Sequence, residues 1–209
     1  MAHHITGKAK LVGLLGYPIS HSLSPQMHNT AFSHLGLPYA YLTFDTKEDN
    51  LEDVLKAMRV LNVAGFNVTM PNKTNVIPLL DEIAPEAQWI GAVNTVINDN
   101  GRLIGHNTDG KGYVQALREE GIDFEGKKFV VVGAGGGAKA VAIQLAADGA
   151  GEIVILNRHL EGAEIISNVI KDKIPTCKAS ALEFNADTLK EALKDADIFV
   201  NTTSVGMTP

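Results

Sequence analysis

Residues 130 to 140, VVVGAGGGAKA, restrict the folds open to this chain more than any other stretch. A run of valines ends at Gly133, Gly135 and Ala138 follow in the spacing G-x-G-x-x-A, and a helix-compatible stretch, AKAVAIQLAADG, begins at once. In a strand-turn-helix of this kind the first glycine permits the tight turn. The second lets a pyrophosphate approach the backbone, and the small third residue allows helix and strand to pack closely. The unpaired N–H groups and dipole at the helix N-terminus then attract phosphate. A ligand-free turn could use the same glycines, but the βαβ setting and three consecutive glycines, Gly135 to Gly137, favour a dinucleotide site.

The rest of the chain reads as α/β. After a helix over 111–120, the second half gives strand KKFVVVG, helix, strand EIVILN, helix, a strand near TCKAS, helix and strand DIFVNT. In the first half, apolar extended runs near 11–16, 40–45, 63–69 and 94–98 alternate with amphipathic helices. The clearest helix is LEDVLKAMRVL, where Leu51, Val54, Leu55, Met58 and Leu61 share one face. The NDNG tract at 98–101 reads as a hairpin turn before a short strand, RLIG. The expectation is two α/β domains with mainly parallel sheets, 1–110 and a Rossmann-like 111–209.

Composition removes several function classes. The net charge is −6 and the basic residues are scattered, so no nucleic-acid footprint is expected. No run approaches the 18 or so apolar residues of a membrane span, and MAHHITGKAK lacks the apolar core of a secretory signal; the expected location is cytoplasmic. The single cysteine, Cys177, excludes an internal disulfide and reads as a small buried hydrophobe. Seven histidines show no ligand spacing, so no metal is expected.

Polar residues cluster where predicted strands end. Asn157 and Arg158 close the strand EIVILN; the missing acid and the bidentate capacity of arginine favour NADP, with Glu161 near enough to leave NAD as the alternative. In the first half stand Ser22 and Ser24, in a loop between Pro18 and Pro25. Asn67, Thr69 and Lys73 follow in NVTMPNK, Asn94 in AVNT, and Asn107 and Asp109 in HNTDG. Hydroxyls and amides with one lysine and one aspartate suit a small polyhydroxylated acid, and a lysine paired with an aspartate can move a proton. Each has a plainer reading: the serines satisfy loop backbone, Lys73 is solvated, and Asp109 caps a helix beginning near Lys111.

PISHSLSPQMHN, NVTMPNK, GAVNT, HNTDG, GAGGGAKA, NR and NTTSVGM, in this order and spanning nearly the whole chain, resemble the shikimate dehydrogenase family, including its quinate/shikimate branch. The resemblance implies an N-terminal substrate-binding catalytic domain, a C-terminal Rossmann-like domain, and reversible NADP-dependent reduction of 3-dehydroshikimate to shikimate. It implies that Ser22 and Ser24 bind the substrate carboxylate and that Asn67, Thr69, Asn94 and Asp109 contact the ring hydroxyls. Lys73 would exchange the proton of the reacting hydroxyl, oriented by Asp109. Gly133, Ala134, Gly135, Gly136, Gly137, Asn157, Arg158, Thr203 and Ser204 would line the cofactor site. The family resemblance suggests a monomer or homodimer with no nucleic-acid or membrane partner. MPNK points toward quinate as a second substrate, His159 leaves NAD open, and the family pattern continues past VGMTP, so the second domain is expected to be incomplete. The competing class is a non-catalytic sensor of shikimate or quinate, which would have no need of Lys73 and Asp109.

Overall fold

The computed structural model describes residues 5–206, and the chain divides into two compact units between Asn107 and Thr108. In the first unit six strands form one sheet: β1 (Lys10–Gly16), β2 (Tyr39–Asp45), β3 (Gly65–Val68), β4 (Glu82–Ile83), β5 (Thr95–Asp99) and β6 (Arg102–His106), in the order β2-β1-β3-β5-β6-β4. β1 is parallel to β2 and β3, and β4 is parallel to β6, whereas β5 is antiparallel to both β3 and β6. Five of the six strands therefore run the same way, as expected, and β5 alone runs against them. The physical reason is the NDNG turn, where Asn100 (φ 52°) and Gly101 (φ 93°) take the left-handed conformations that close a two-residue hairpin.

Helix α1 (Ser24–Leu35) begins inside the segment that the prolines had suggested was a loop. Pro25 lies in its first turn, where a missing N–H removes no helical bond, so the loop ends at Leu23. Helix α2 (Leu51–Val60) buries Leu51, Leu55 and Met58 in a core shared with Leu15, Phe66, Val68 and Val96, each fully buried leucine contributing about 1.5–3 kcal/mol. Leu61 does not join them: the helix stops at Val60 and Leu61 is 67% exposed. A short helix α3 (Pro85–Ile90) completes the unit.

The second unit opens with α4 (Asp109–Glu119) and continues β7 (Lys128–Val132), α5 (Gly136–Ala147), β8 (Glu152–Asn157), α6 (Leu160–Lys173), β9 (Lys178–Glu183), α7 (Ala186–Leu193) and β10 (Ile198–Asn201). Its sheet, ordered β10-β7-β8-β9, is wholly parallel. β7 and β8 hold apolar runs because these central parallel strands are covered on both faces. α5 is buried almost all round, which explains its alanines. At Gly110 a Cβ would lie 2.3 Å from the Ala140 carbonyl oxygen, so α4 and α5 cross at a contact that only glycine permits. Cys177 is buried as expected, and burial pushes its thiol up to about 11. No helix among the described residues is long and apolar enough to cross a membrane.

Candidate active site

In the first unit the polar residues gather at the carboxyl ends of β1 and β3 and around the β5–β6 hairpin. The Ser22 hydroxyl accepts from the Ser24 N–H at 3.2 Å, so the first serine caps the turn that leads into α1. The Ser24 side chain lies beside the phenol of Tyr41 on β2. Tyr41, only 3% exposed, donates to Asn67 Oδ1 at 2.7 Å. Asn67 Nδ2 donates to Thr95 Oγ1 (3.1 Å) and to the Asn94 carbonyl (3.3 Å), and the Thr95 hydroxyl donates to Asn94 Oδ1 at 2.9 Å.

The directions in this chain are fixed by chemistry. Donation runs from Tyr41 through Asn67 and Thr95 to Asn94. Two expected site residues, Asn67 and Asn94, are thereby brought into one network, with Ser24 beside its Tyr41 end. Both amide protons of Asn67 are used inside the unit, which leaves it one Oδ1 lone pair to offer a ligand.

Tyr41 was not among the residues singled out in the sequence, although a signal existed. Tyr39 and Tyr41 recur at the strand period of two, and a buried tyrosine needs a partner for its hydroxyl. His28 of α1 stacks on the Tyr41 ring at 4.3 Å with a 13° tilt, and Asn29 of the same helix bonds both the N–H and the carbonyl of Tyr41. Burial pushes the phenol up to about 12 and holds the His28 imidazole below its ordinary range.

Thr69, Asn72 and Lys73 lie in the turn after β3, entered through a cis Met70–Pro71 peptide. The Thr69 N–H donates to Leu15 O, and the Lys73 carbonyl accepts from Val93 N–H at 2.8 Å. At Gly16 an added Cβ would fall 2.4 Å from Thr69 Cγ2, which is why the strand ends in glycine where the two loops meet. Asn107, 1% exposed, donates to the Ala92 carbonyl.

Asp109 is the first residue of α4 in the second unit, with Thr108 at the N-cap; the helix starts two residues before the expected Lys111, and Asp109 is not its cap. In the same unit Gly133 (φ 112°) turns the chain out of β7 beside the loop after β10, and its Cβ would meet Thr202 Oγ1 at 2.5 Å. α5 begins at Gly136, earlier than expected. At Gly135, Gly136 and Gly137 an added Cβ would meet nothing within 4 Å, so the helix N-terminus is open to an approaching group. Ala134 packs toward Gly162 of α6.

Asn157, Arg158, Thr203 and Ser204 line one cavity of about 490 Å³ with Phe184, Leu189 and Phe199. Asn201, also unforeseen, shapes its rim: Oδ1 accepts from the Thr203 N–H and hydroxyl, and Nδ2 donates to Val205 O. Open glycine backbone at a helix N-terminus and an arginine beside an apolar slot fit a dinucleotide with a phosphorylated ribose. Among the described residues no His, Cys, Asp and Glu group could hold a metal ion.

Residues 14–96 match the family of the shikimate dehydrogenase substrate binding domain, and residues 115–207 match shikimate / quinate 5-dehydrogenase. The shikimate dehydrogenase (NADP(+)) of Alkaliphilus metalliredigens is 61% identical over 207 residues, covering 99% of this chain and 72% of that protein. A crystal structure of shikimate 5-dehydrogenase from Listeria monocytogenes, in complex with shikimate and NAD, superposes with a TM-score of 0.95 at 47% identity, covering 100% of this chain and 73% of that one. A shikimate dehydrogenase in complex with NADP+ gives 0.87 at 43% identity, with 99% and 70% covered. With both units matched and identities this high, the chain belongs to the shikimate dehydrogenase family.

Proposed function

We propose that the protein is an NADP-dependent shikimate dehydrogenase, reducing 3-dehydroshikimate to shikimate reversibly. The observation that carries this reading is the network joining Asn67 and Asn94 through Tyr41 and Thr95 in a chain 61% identical to a shikimate dehydrogenase (NADP(+)). Ser22 and Ser24 bind the substrate carboxylate. Thr69 and Asn94 contact ring hydroxyls, as does Asn67 through its remaining lone pair, while the network holds their donors and acceptors in fixed directions. Preset dipoles of this kind bind a polyhydroxylated ring without reorganising when it arrives.

NADP supplies the hydride acceptor or donor when bound. Gly133 to Gly137 and the N-terminus of α5 hold its pyrophosphate, and Arg158 with Asn157, Thr203 and Ser204 holds its adenosine end. Lys73 takes the proton from the reacting hydroxyl in oxidation and returns it in reduction, and Asp109 orients and stabilises the lysine. A sensor would need the binding groups without this pair, so Lys73 and Asp109 favour an enzyme. Quinate as a second substrate belongs to the same reading, on the strength of MPNK at 70–73. So do a cytoplasmic location and a monomeric or dimeric state, which fractionation and light scattering would read.

The test is NADPH absorbance with shikimate or quinate and either cofactor. Shikimate with NADP is expected to be the best pair, and Lys73→Ala to lose turnover on the order of a hundredfold or more while still binding shikimate. Undiminished turnover in Lys73→Ala would overturn the assigned chemistry.

A further inference from the structure

Thr46 and Asn72 have no exposed surface. The turn that carries Lys73 is fixed locally by its own backbone: Asn72 N–H donates to Thr69 O (2.9 Å), Val76 N–H to Asn72 O (3.0 Å) and Val93 N–H to Lys73 O (2.8 Å). The Asn72 side chain adds a tie to a different part of the sheet. Its Nδ2 donates to the Thr46 carbonyl at 2.8 Å, 26 residues away, just past the end of β2. Thr46 is itself anchored, its N–H donating to Gly16 O at 2.8 Å at the end of β1. One buried amide thus binds the ends of β1, β2 and β3 together beside Lys73.

The other end of that amide is an anomaly. Asn72 Oδ1 is fully buried and has no hydrogen-bond partner among the described residues. Turning the amide over would aim Oδ1 at the Thr46 carbonyl oxygen, acceptor against acceptor, so the orientation is settled. A buried acceptor without a donor is destabilising, and an apolar side chain of the same shape would remove it. The same replacement would strand the buried Thr46 carbonyl, so what the asparagine supplies is the tether.

We propose that Asn72 is a positioning residue for Lys73, its amide holding the lysine-bearing turn to the end of β2. The inference rests on the role given to Lys73 above. Proton exchange requires heavy atoms within roughly 2.6–3.2 Å, and a displacement of about 1 Å can lower the rate by about a hundredfold. The serines that hold the carboxylate lie outside this turn, and Thr69 is anchored separately, its N–H donating to Leu15 O, so the loss falls mainly on kcat.

The test compares the full unmutated chain with Asn72→Leu, Asn72→Asp, Asn72→His and Lys73→Ala. Leucine removes the tether and the orphan oxygen but leaves the Thr46 carbonyl without its donor, and aspartate keeps the shape but lacks the N–H. Histidine places Nδ1 as many bonds from Cα as the asparagine Nδ2 and can donate to Thr46 O. Asn72→Leu is expected to lower kcat by about ten- to a hundredfold with KM changed less than about threefold and the thermal midpoint shifted only slightly, Asn72→Asp to do the same to kcat, and Asn72→His to recover most of it.

Full kcat in the leucine or aspartate variant overturns the inference, as does a loss that appears in KM or one that histidine shares equally. Should Asn72→Leu fail to fold, the aspartate and histidine pair decides alone. Turnover surviving in Lys73→Ala would sink the underlying reading instead; an inactive Lys73→Ala beside a fully active Asn72→Leu sinks only the tether. Were the unmutated chain without turnover, the acetylation rate of Lys73, followed by peptide mass spectrometry, is expected to change severalfold in Asn72→Leu, and an unchanged rate overturns the proposal.

Discussion

Tyr41 donates its phenol proton to Asn67 Oδ1 at 2.7 Å, and that bond decides which way the Asn67 amide faces. In Tyr41→Phe the half-buried acceptor loses its donor, which costs about 1 kcal/mol. The expected outcome is a lower thermal midpoint and a shikimate KM raised severalfold, read by calorimetry and steady-state kinetics. An unaltered KM would separate Tyr41 from the substrate array.

His28 makes stability depend on pH in a predictable sense. Its folded-state value lies below the ordinary 6.5 because burial disfavours the imidazolium. Once the pH falls below 6.5 the unfolded chain takes up a proton that the folded chain resists, so the contribution is present above 6.5 and is lost as pH drops toward the folded value. His28→Gln should flatten the acid side of the thermal midpoint between pH 6.5 and 5, as melts across that window would reveal.

Cys177 should be inert. With its thiol pushed up to about 11 by burial, the thiolate is scarce at pH 8 and the folded protein should leave Ellman's reagent almost unreacted until denaturant is added. The raised value also means that the stability it contributes is intact below pH 9.0, the ordinary value, and is lost as pH rises through 11. Fast labelling of native protein would contradict this.

Gly133→Ala combines backbone strain at φ 112° with a methyl 2.5 Å from Thr202 Oγ1. NADP affinity is expected to fall by about tenfold or more, since strain at such a position costs about 1–3 kcal/mol. Binding of shikimate to the first unit should survive. Titration calorimetry with each ligand separately would check both halves of the statement.

Arg158→Ala should weaken NADP by about tenfold or more and leave NAD nearly unchanged, because only the ribose phosphate uses a charge-assisted bond worth about 1.5–3 kcal/mol. Comparable losses for both cofactors would move Arg158 away from the phosphate and toward the adenine.

Much of this could be read directly from residue order. VVVGAGGGAKA dictated the turn at Gly133 and the helix after it, and the NDNG tract dictated the hairpin, because both depend on local backbone chemistry. What escaped depended on partners distant in sequence. Ser24 and Asn67 were visible as polar residues at strand ends, but Tyr41, whose phenol lies beside both, sits within an apolar strand and is recognised only when its hydroxyl needs a partner. The start of α1 was missed because Pro25 signals both a loop and a first helical turn. Leu61 was misjudged because periodicity does not say where a helix stops. Asn72 stood beside Lys73 in plain view, yet its tie to Thr46 crosses 26 positions and leaves no local trace.

The β5–β6 hairpin puts Thr95 opposite His106, so that Asn94 and Asn107, thirteen positions apart, flank one end of the same ladder. Residues can accordingly be added or deleted in facing pairs at the Asn100–Gly101 tip while the two motifs stay abutted. A single insertion in one strand would turn every side chain beyond it to the opposite face. Distance between these motifs along the chain thus changes in even steps while the two-residue turn is kept, and a relative whose spacing differs by an odd number must carry a bulge or a turn of another length.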